Sequence, residues 1–246
     1  MEANNKTNND PNFYRVIVVG GGFAGVGAAI KLKEAGIEDF ILLEKAHEMG
    51  GVWRENTYPG CACDVPSALY SYSFAPNPAW SRVFAEQKEI KQYLFDVVEH
   101  YDVMPHVRLN CEALKAQWCD VENCWIIQTA QGELRSQFAI LACGPMHEPV
   151  LPKVKGIEDF KGEIFHSSQW RHDLDLTGKR VAVIGTGASA VQFVPQIQPL
   201  VENLTIFQRT AQWILPKSDM PLVKPLRTLF KLLPITQQLM RGSVYG

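Results

Sequence analysis

Two glycine-rich turns constrain this chain more than any other feature. Gly20-Gly21-Gly22-Phe23-Ala24-Gly25 follows the apolar run Arg15-Val-Ile-Val-Val19, and Gly185-Thr186-Gly187-Ala188-Ser189-Ala190 follows Arg180-Val-Ala-Val-Ile184. A short apolar run ending in glycines reads as a buried parallel strand. Phe23 to Ala35 then reads as a helix closed by Gly36, and Phe40-Ile-Leu-Leu43 as a second buried strand. The later turn repeats the plan, with a helix expected from Ala188 to Leu200, bent at Pro195, and a returning strand over Leu204-Thr-Ile-Phe207. The fold class is α/β, with two Rossmann-like dinucleotide-binding units. Each is expected to be incomplete on its C-terminal side, because no further strands follow that would finish it.

In the first turn Gly20 suits the tight bend, Gly22 the approach of a pyrophosphate, and Gly25 the close packing of helix on strand. The phosphates would rest on the helix N-terminus, where free N–H groups and the helix dipole favour negative charge. Glu44 lies 24 residues after Gly20, at the end of the next strand, where a carboxylate can accept hydrogen bonds from ribose hydroxyls. The same count of 24 from Gly185 reaches Arg209. A carboxylate repels a 2′-phosphate, whereas a guanidinium binds one through paired hydrogen bonds. The comparison implies two dinucleotides, one with a free 2′-hydroxyl and one 2′-phosphorylated. FAD and NADPH fit that pair.

Residues 45–82 are irregular and long for a plain connection. They contain Gly51-Val52-Trp53-Arg-Glu-Asn-Thr-Tyr58-Pro59-Gly60-Cys-Ala-Cys-Asp64. Such a loop can be mere packing, or it can face a flavin, with Trp53 shielding the ring system and Asp64 near its reacting edge. Glu86 to Tyr101 reads as an amphipathic helix with Ile90, Tyr93, Leu94, Val97, Val98 and Tyr101 on its inner face. Short strands are expected between Val107 and Leu134, with Trp118 and Trp125 flanking a turn, and a further buried strand over Phe138-Ala-Ile-Leu-Ala142. The domains expected are a disordered leader over 1–12, an FAD-binding portion over 13–145, a linker over 146–176, and an NADPH-binding portion with the start of a helical segment over 177–246.

A net charge of −2 gives no electrostatic reason to expect nucleic acid. Six scattered cysteines form no zinc-like pairs, so no metal site is expected, and they suit a reduced, cytoplasmic protein. Leu222 to Gly246 mixes apolar residues with Lys224, Arg227 and Lys231. That pattern fits a helix packing on a core, with contact to a membrane surface as the lesser alternative.

Phe160-Lys-Gly162-Glu-Ile-Phe-His166-Ser-Ser-Gln-Trp170 joins the two units. With the paired glycine turns and the Gly51–Asp64 loop, this segment resembles the linker fingerprint F-x-G-x-x-x-H-x-x-x-W of the class B flavoprotein monooxygenases, type I Baeyer–Villiger branch. The resemblance covers essentially everything after the leader. It implies that NADPH reduces FAD, that O2 then gives a C4a-peroxyflavin, and that a ketone becomes an ester or lactone; some relatives oxidise sulfides. It further implies that Gly20, Gly22, Phe23, Ala24, Gly25, Glu44, Gly51, Val52, Trp53, Asp64, Tyr70 and Ala113 serve FAD. On the same basis Gly185, Thr186, Gly187, Ala188, Ser189, Gln192, Arg209 and Thr210 serve NADPH, Asp64 is catalytic, and His166 couples and positions. Arg171 departs from the fingerprint's usual last residue, Cys143 replaces the usual Thr of Ala-Thr-Gly, and the family's chains run about twice as far. The alternatives are a cofactor-binding fragment without turnover, an N- or S-oxygenating relative, and a flavin disulfide reductase. The last requires a more widely spaced cysteine pair than Cys61 and Cys63 provide.

Overall fold

The computed structural model describes residues 10–245. The leader expected over 1–12 lies outside them except for a turn at its end, where the Asp10 carboxylate accepts from Asn12 N and its carbonyl from Phe13 N. The chain divides into two compact units, one formed by residues up to Arg54 with Leu94–His147, the other by Glu55–Tyr93 with residues from Glu148 onward. Residues 55–93, placed with the first dinucleotide site by sequence order, thus group with the second.

The first unit holds a sheet of six strands, β1 (Phe13–Val19), β2 (Phe40–Leu43), β3 (Val107–Arg108), β4 (Ala113–Cys119), β5 (Cys124–Thr129) and β6 (Gly132–Leu141), in the order β3-β2-β1-β6-β5-β4. The four strands from β3 to β6 run parallel, and β5 and β4 complete the sheet as an antiparallel meander. β1 begins two residues before the apolar run because Phe13 and Tyr14 pair with Arg135 and Ser136. Helix α1 (Phe23–Glu34) crosses from β1 to β2 and buries Gly25, Val26, Ala29 and Ile30 at helical spacing. Ile17, Ile41, Leu43, Cys111, Ile127 and Leu134 form a core cluster. In the β4–β5 hairpin Trp118 pairs with Trp125, their rings edge to face at 5.8 Å.

The strand expected to be buried over Phe138–Ala142 is instead the end of β6, with Phe138 58% and Leu141 63% exposed. The cause lies in the pairing. β5 accompanies β6 only as far as Ser136, so the residues beyond have β1 alone as a neighbour.

Two further helices bracket the long connection. They are the single turn α2 (Val52–Glu55) and α3 (Gln87–His100), whose Ile90, Tyr93, Leu94, Val97 and Val98 are buried as the periodicity requires. In the second unit β7 (Arg180–Ile184) and β8 (Asn203–Phe207) pair in parallel around α4 (Ala188–Ile197), which ends one turn earlier than the sequence suggests. α5 (Lys224–Leu232) and α6 (Pro234–Tyr245) follow, separated where Pro234 starts a new helix. Leu222, Phe230 and Gln237 are buried, whereas Leu229, Leu232, Ile235 and Leu239 face outward. Among the described residues no helix is long and apolar enough to cross a membrane.

Candidate functional site

The first site is built where β1 ends. Gly20 has φ +111°, a conformation open to glycine and strained for other residues, and its N–H bonds the Leu43 carbonyl at 2.8 Å. Gly22 then caps α1 without a side-chain bond, and the first turn of α1 contains no acid. The dipole of that helix end is therefore not offset by its own residues, which suits an anion. A Cβ on Gly25 would stand 1.8 Å from the Gly20 carbonyl oxygen, so the glycine is required for the helix to lie this close.

Glu44, 4% exposed, holds the turn together. Its Oε2 accepts from Gly21 N at 2.8 Å, and its Oε1 accepts from Ala46 N and from Arg54 Nη1, both at 2.9 Å. A carboxylate offers about four acceptor positions, so a ribose hydroxyl can still add to these three donors. The Gly51–Trp53 segment belongs to the same cluster. Gly50 N donates to the Gly21 carbonyl at 2.9 Å, the Gly22 and Gly51 backbones touch, and Trp53 is 8% exposed. Cys111 N donates to the Glu44 carbonyl, and nearby Ala113 packs against the core cluster. Gly20 to Gly25, Glu44, Gly51 to Trp53 and Ala113 thus all fall within one unit. The roles of Gly21 and Arg54 were not legible from the motif, which treats one as a variable position and places no partner ten residues after Glu44.

The second site repeats the backbone of the first. Gly185 has φ +107°, its N–H bonds the Phe207 carbonyl at 2.9 Å, and Gly187 caps α4 without a side-chain bond or an acid in the first turn. Nothing stands within 4 Å of a Cβ at Gly185 or Gly187, which leaves room for a ligand. The two sites differ in register. Val19 pairs with Leu43, followed by Glu44, whereas Ile184 pairs with Phe207, followed by Gln208. The equal count that matched Arg209 to Glu44 is therefore corrected by one residue, because the second unit returns to its strand one residue sooner. Gln208 occupies the position of Glu44. Arg209 and Thr210 lie just beyond it and are exposed.

The loop after α2 turns out to be anchored on α4. The Tyr58 hydroxyl donates to Gln192 Oε1 at 3.0 Å, which also accepts from Ala62 N at 3.2 Å, while Gln192 Nε2 donates to the Ala62 carbonyl at 2.9 Å. The Tyr58 ring meets Phe193 edge-on at 6.0 Å. A Cβ on Gly60 would come within 3.0 Å of the Gln192 carbonyl oxygen. Burial pushes the Tyr58 phenol and the Cys61 thiol up, and the Cys63 thiol up to about 11. Such thiols are poor thiolates, the opposite of what disulfide exchange needs. Asp64 is exposed, and Tyr70 lies half-buried in the following turn, its N–H bonded to the Pro66 carbonyl.

His166 caps the short turn Ser167–Gln169, its Nδ1 accepting from Ser168 N at 3.2 Å and lying 2.8 Å from Ser168 Oγ. The turn delivers Trp170 against Phe165 and Phe193, with ring centroids 5.4 and 5.1 Å apart. Phe160 folds over Gly162, where a Cβ would stand 2.6 Å from the ring.

Two such sites define a dinucleotide oxidoreductase class, and residues 17–228 match the family model described as pyridine nucleotide-disulphide oxidoreductase. The chain belongs to that family. Its resemblance to the Baeyer–Villiger monooxygenases is also met. It is 48% identical over 232 residues to a Baeyer–Villiger monooxygenase of Streptomyces coelicolor, a match covering 94% of this chain and 45% of that protein. A solved steroid monooxygenase, oxidized and bound to NADP, superposes with a TM-score of 0.81 at 37% identity, covering 90% of this chain and 43% of that one. The crystal structure of OTEMO in complex with FAD and NADP gives a TM-score of 0.81 at 34% identity, covering 89% of this chain and 44% of that one. The chain thus spans somewhat under half the length of the relatives it matches.

Proposed function

We propose that this chain forms the dinucleotide-binding part of an NADPH-dependent flavin monooxygenase that converts a ketone, O2, NADPH and a proton into an ester or lactone, water and NADP+. One observation carries the reading: two strand–glycine–helix sites share a backbone but differ at the strand end, where one has the buried carboxylate of Glu44 and the other neutral Gln208 followed by exposed Arg209. Both helix ends are uncapped and free of acid, so the residues present fit a pyrophosphate at each.

FAD, when bound, supplies the redox chemistry that side chains lack, accepting a hydride and activating O2. The protein's part is binding and orientation. The N-terminus of α1 would hold the FAD pyrophosphate, with Glu44 on the ribose, and Trp53 would exclude water from the flavin. The N-terminus of α4, with Ser189, would hold the NADPH pyrophosphate, and Arg209 and Thr210 its 2′-phosphate. Asp64 is assigned to the reacting region as an exposed carboxylate, and His166 to positioning, because its Nδ1 is engaged in capping. A cytoplasmic location belongs to the same reading.

The experiment is turnover by the full-length protein under 18O2 with a panel of cyclic and linear ketones. One labelled oxygen in the ester, with NADPH consumed in equal amount, is expected. A purified flavoprotein that oxidises NADPH without oxygenating any ketone or sulfide would refute the reading.

A further inference from the structure

The β4–β5 hairpin sets two cysteines opposite each other beside its turn. Cys119, the last residue of β4, is the ladder partner of Cys124, the first residue of β5, across the turn Asp120–Asn123. Opposed residues of an antiparallel ladder share a face, with Cα atoms about 4.5–5.5 Å apart. A disulfide joins Cα atoms about 4.4–6.8 Å apart, so the pair can close with little movement of either strand. Both thiols are free. Two contacts hold the turn in register without a covalent link: Arg135 Nη1 meets Glu122 Oε2 at 2.6 Å, and Trp118 Nε1 donates to Asp120 Oδ1 at 3.0 Å. Among the described residues no other cysteine has a cysteine as its ladder partner. The two thiols differ in access. Cys119 is half-buried and lines a surface cleft of about 190 Å³ with Lys115, Gln117 and Gln128, whereas Cys124 is 1% exposed. Burial, and then the Glu122 carboxylate, push the Cys124 thiol up.

We propose that Cys119 and Cys124 form a thiol modification site, which the disulfide of a low-molecular-weight thiol such as oxidised glutathione converts into a cross-strand disulfide. The Cys119 thiolate attacks one sulfur of the oxidant. The oxidant's S–S bond breaks, and its other half leaves as a thiolate that takes up the proton released by Cys119. Cys124 then loses its proton and attacks the Cys119 sulfur. The mixed disulfide breaks, and the second small thiol leaves with that proton. Two electrons pass from the protein pair to one oxidant disulfide, giving two small thiols. The order follows from access: Cys119 opens on the cleft, and the buried Cys124 is reached only through it. In a reducing compartment the pair rests as a dithiol and closes when the thiol pool turns oxidising.

The test is incubation of the reduced full-length protein with oxidised glutathione in native buffer, then acid quenching, labelling with N-ethylmaleimide and mass spectrometry of its peptides. In the wild type the peptide holding both cysteines should lose two hydrogens, and its maleimide label should fall about tenfold. Dithiothreitol should restore both labels. Cys124→Ser should stop at one glutathione on Cys119, and Cys124→Ala should stop at the same point, which covers a serine poorly tolerated at a buried position. Cys119→Ser should slow modification of the remaining buried Cys124 about tenfold. Three results would overturn the proposal. Both cysteines could stay fully labelled in the presence of the oxidant. Cys119 of the wild type could keep its glutathione without closing on Cys124. Cross-links could scatter among the cysteines as they do in the urea-unfolded chain, which would show that the hairpin does not select the pair.

Discussion

Replacing Gly25 by Ala tests whether the first turn is held by backbone contact as the structure indicates. The added Cβ would sit 1.8 Å from the Gly20 carbonyl oxygen and 3.0 Å from its carbon, against an ordinary contact of at least 3.4 Å, so α1 must withdraw by about 1.6 Å. Neither atom is the end of a flexible side chain, which places the cost at or above the upper end of overpacking, about 3 kcal/mol. Alanine returns about 1 kcal/mol in helix propensity, for a net loss of about 2 kcal/mol. Gly22→Ala is the paired control: its Cβ meets only the Gly51 Cα, at 3.6 Å. Urea unfolding and FAD titration together separate the two effects. Gly25→Ala should lower stability by about 2 kcal/mol and weaken FAD, whereas Gly22→Ala should keep its midpoint and weaken FAD alone. Equal unfolding midpoints for Gly25→Ala and wild type would refute the close-approach argument.

Glu44→Gln removes the charge paired with the partly buried Arg54 guanidinium and should cost about 3 kcal/mol in urea unfolding, with much of it restored in the double variant Glu44→Gln/Arg54→Met. Arg209→Ala should raise KM for NADPH about tenfold or more while leaving NADH unchanged, and Gln208→Glu should do the same by repulsion from the position equivalent to Glu44. Alkaline stability should fall through Cys63. Its folded pKa is raised from 9.0 to about 11 while the unfolded thiol ionises at its ordinary value, so the unfolded state binds fewer protons as pH rises from 9 to 11. The loss should reach about 2–3 kcal/mol near pH 11 and be smaller in Cys63→Ser, as read from denaturation midpoints across that range.

The first unit was legible because its signals are local. Apolar runs, the glycine spacing, Gly36 after α1, and the inner face of α3 each follow from periods of 3.6 or 2 within a few residues. Glu44 was legible for the same reason, as the residue that ends β2. What escaped depends on contacts distant in sequence. The exposure of Phe138 and Leu141 follows from where β5 stops pairing, and Arg54 meets Glu44 only because the Gly50–Gly51 turn folds back. The one-residue error at Arg209 has a different origin. Counting assumes equal loops, whereas the pairing of Ile184 with Phe207 shows a shorter return, and a shift of one residue is enough to change which side chain stands at the strand end.

Three stretches that looked separate in the sequence converge on α4. Gly185–Ala190 opens the helix, Tyr58-Pro59-Gly60 lies on it through Gln192 and Phe193, and the Phe160–Trp170 segment ends with Trp170 against the same Phe193. This convergence gives the fingerprint residues distinct mechanical parts. Gly162 admits the Phe160 ring, His166 terminates the extended segment by capping a turn, and that turn sets the angle at which Trp170 reaches α4. His166, whose Nδ1 accepts from Ser168 N, is placed to hold the geometry of this turn. His166→Asn, which can cap in the same way, should therefore retain more NADPH-linked turnover than His166→Ala. Equal loss in both variants would show that the ring itself is required, and capping would no longer explain its place in the segment.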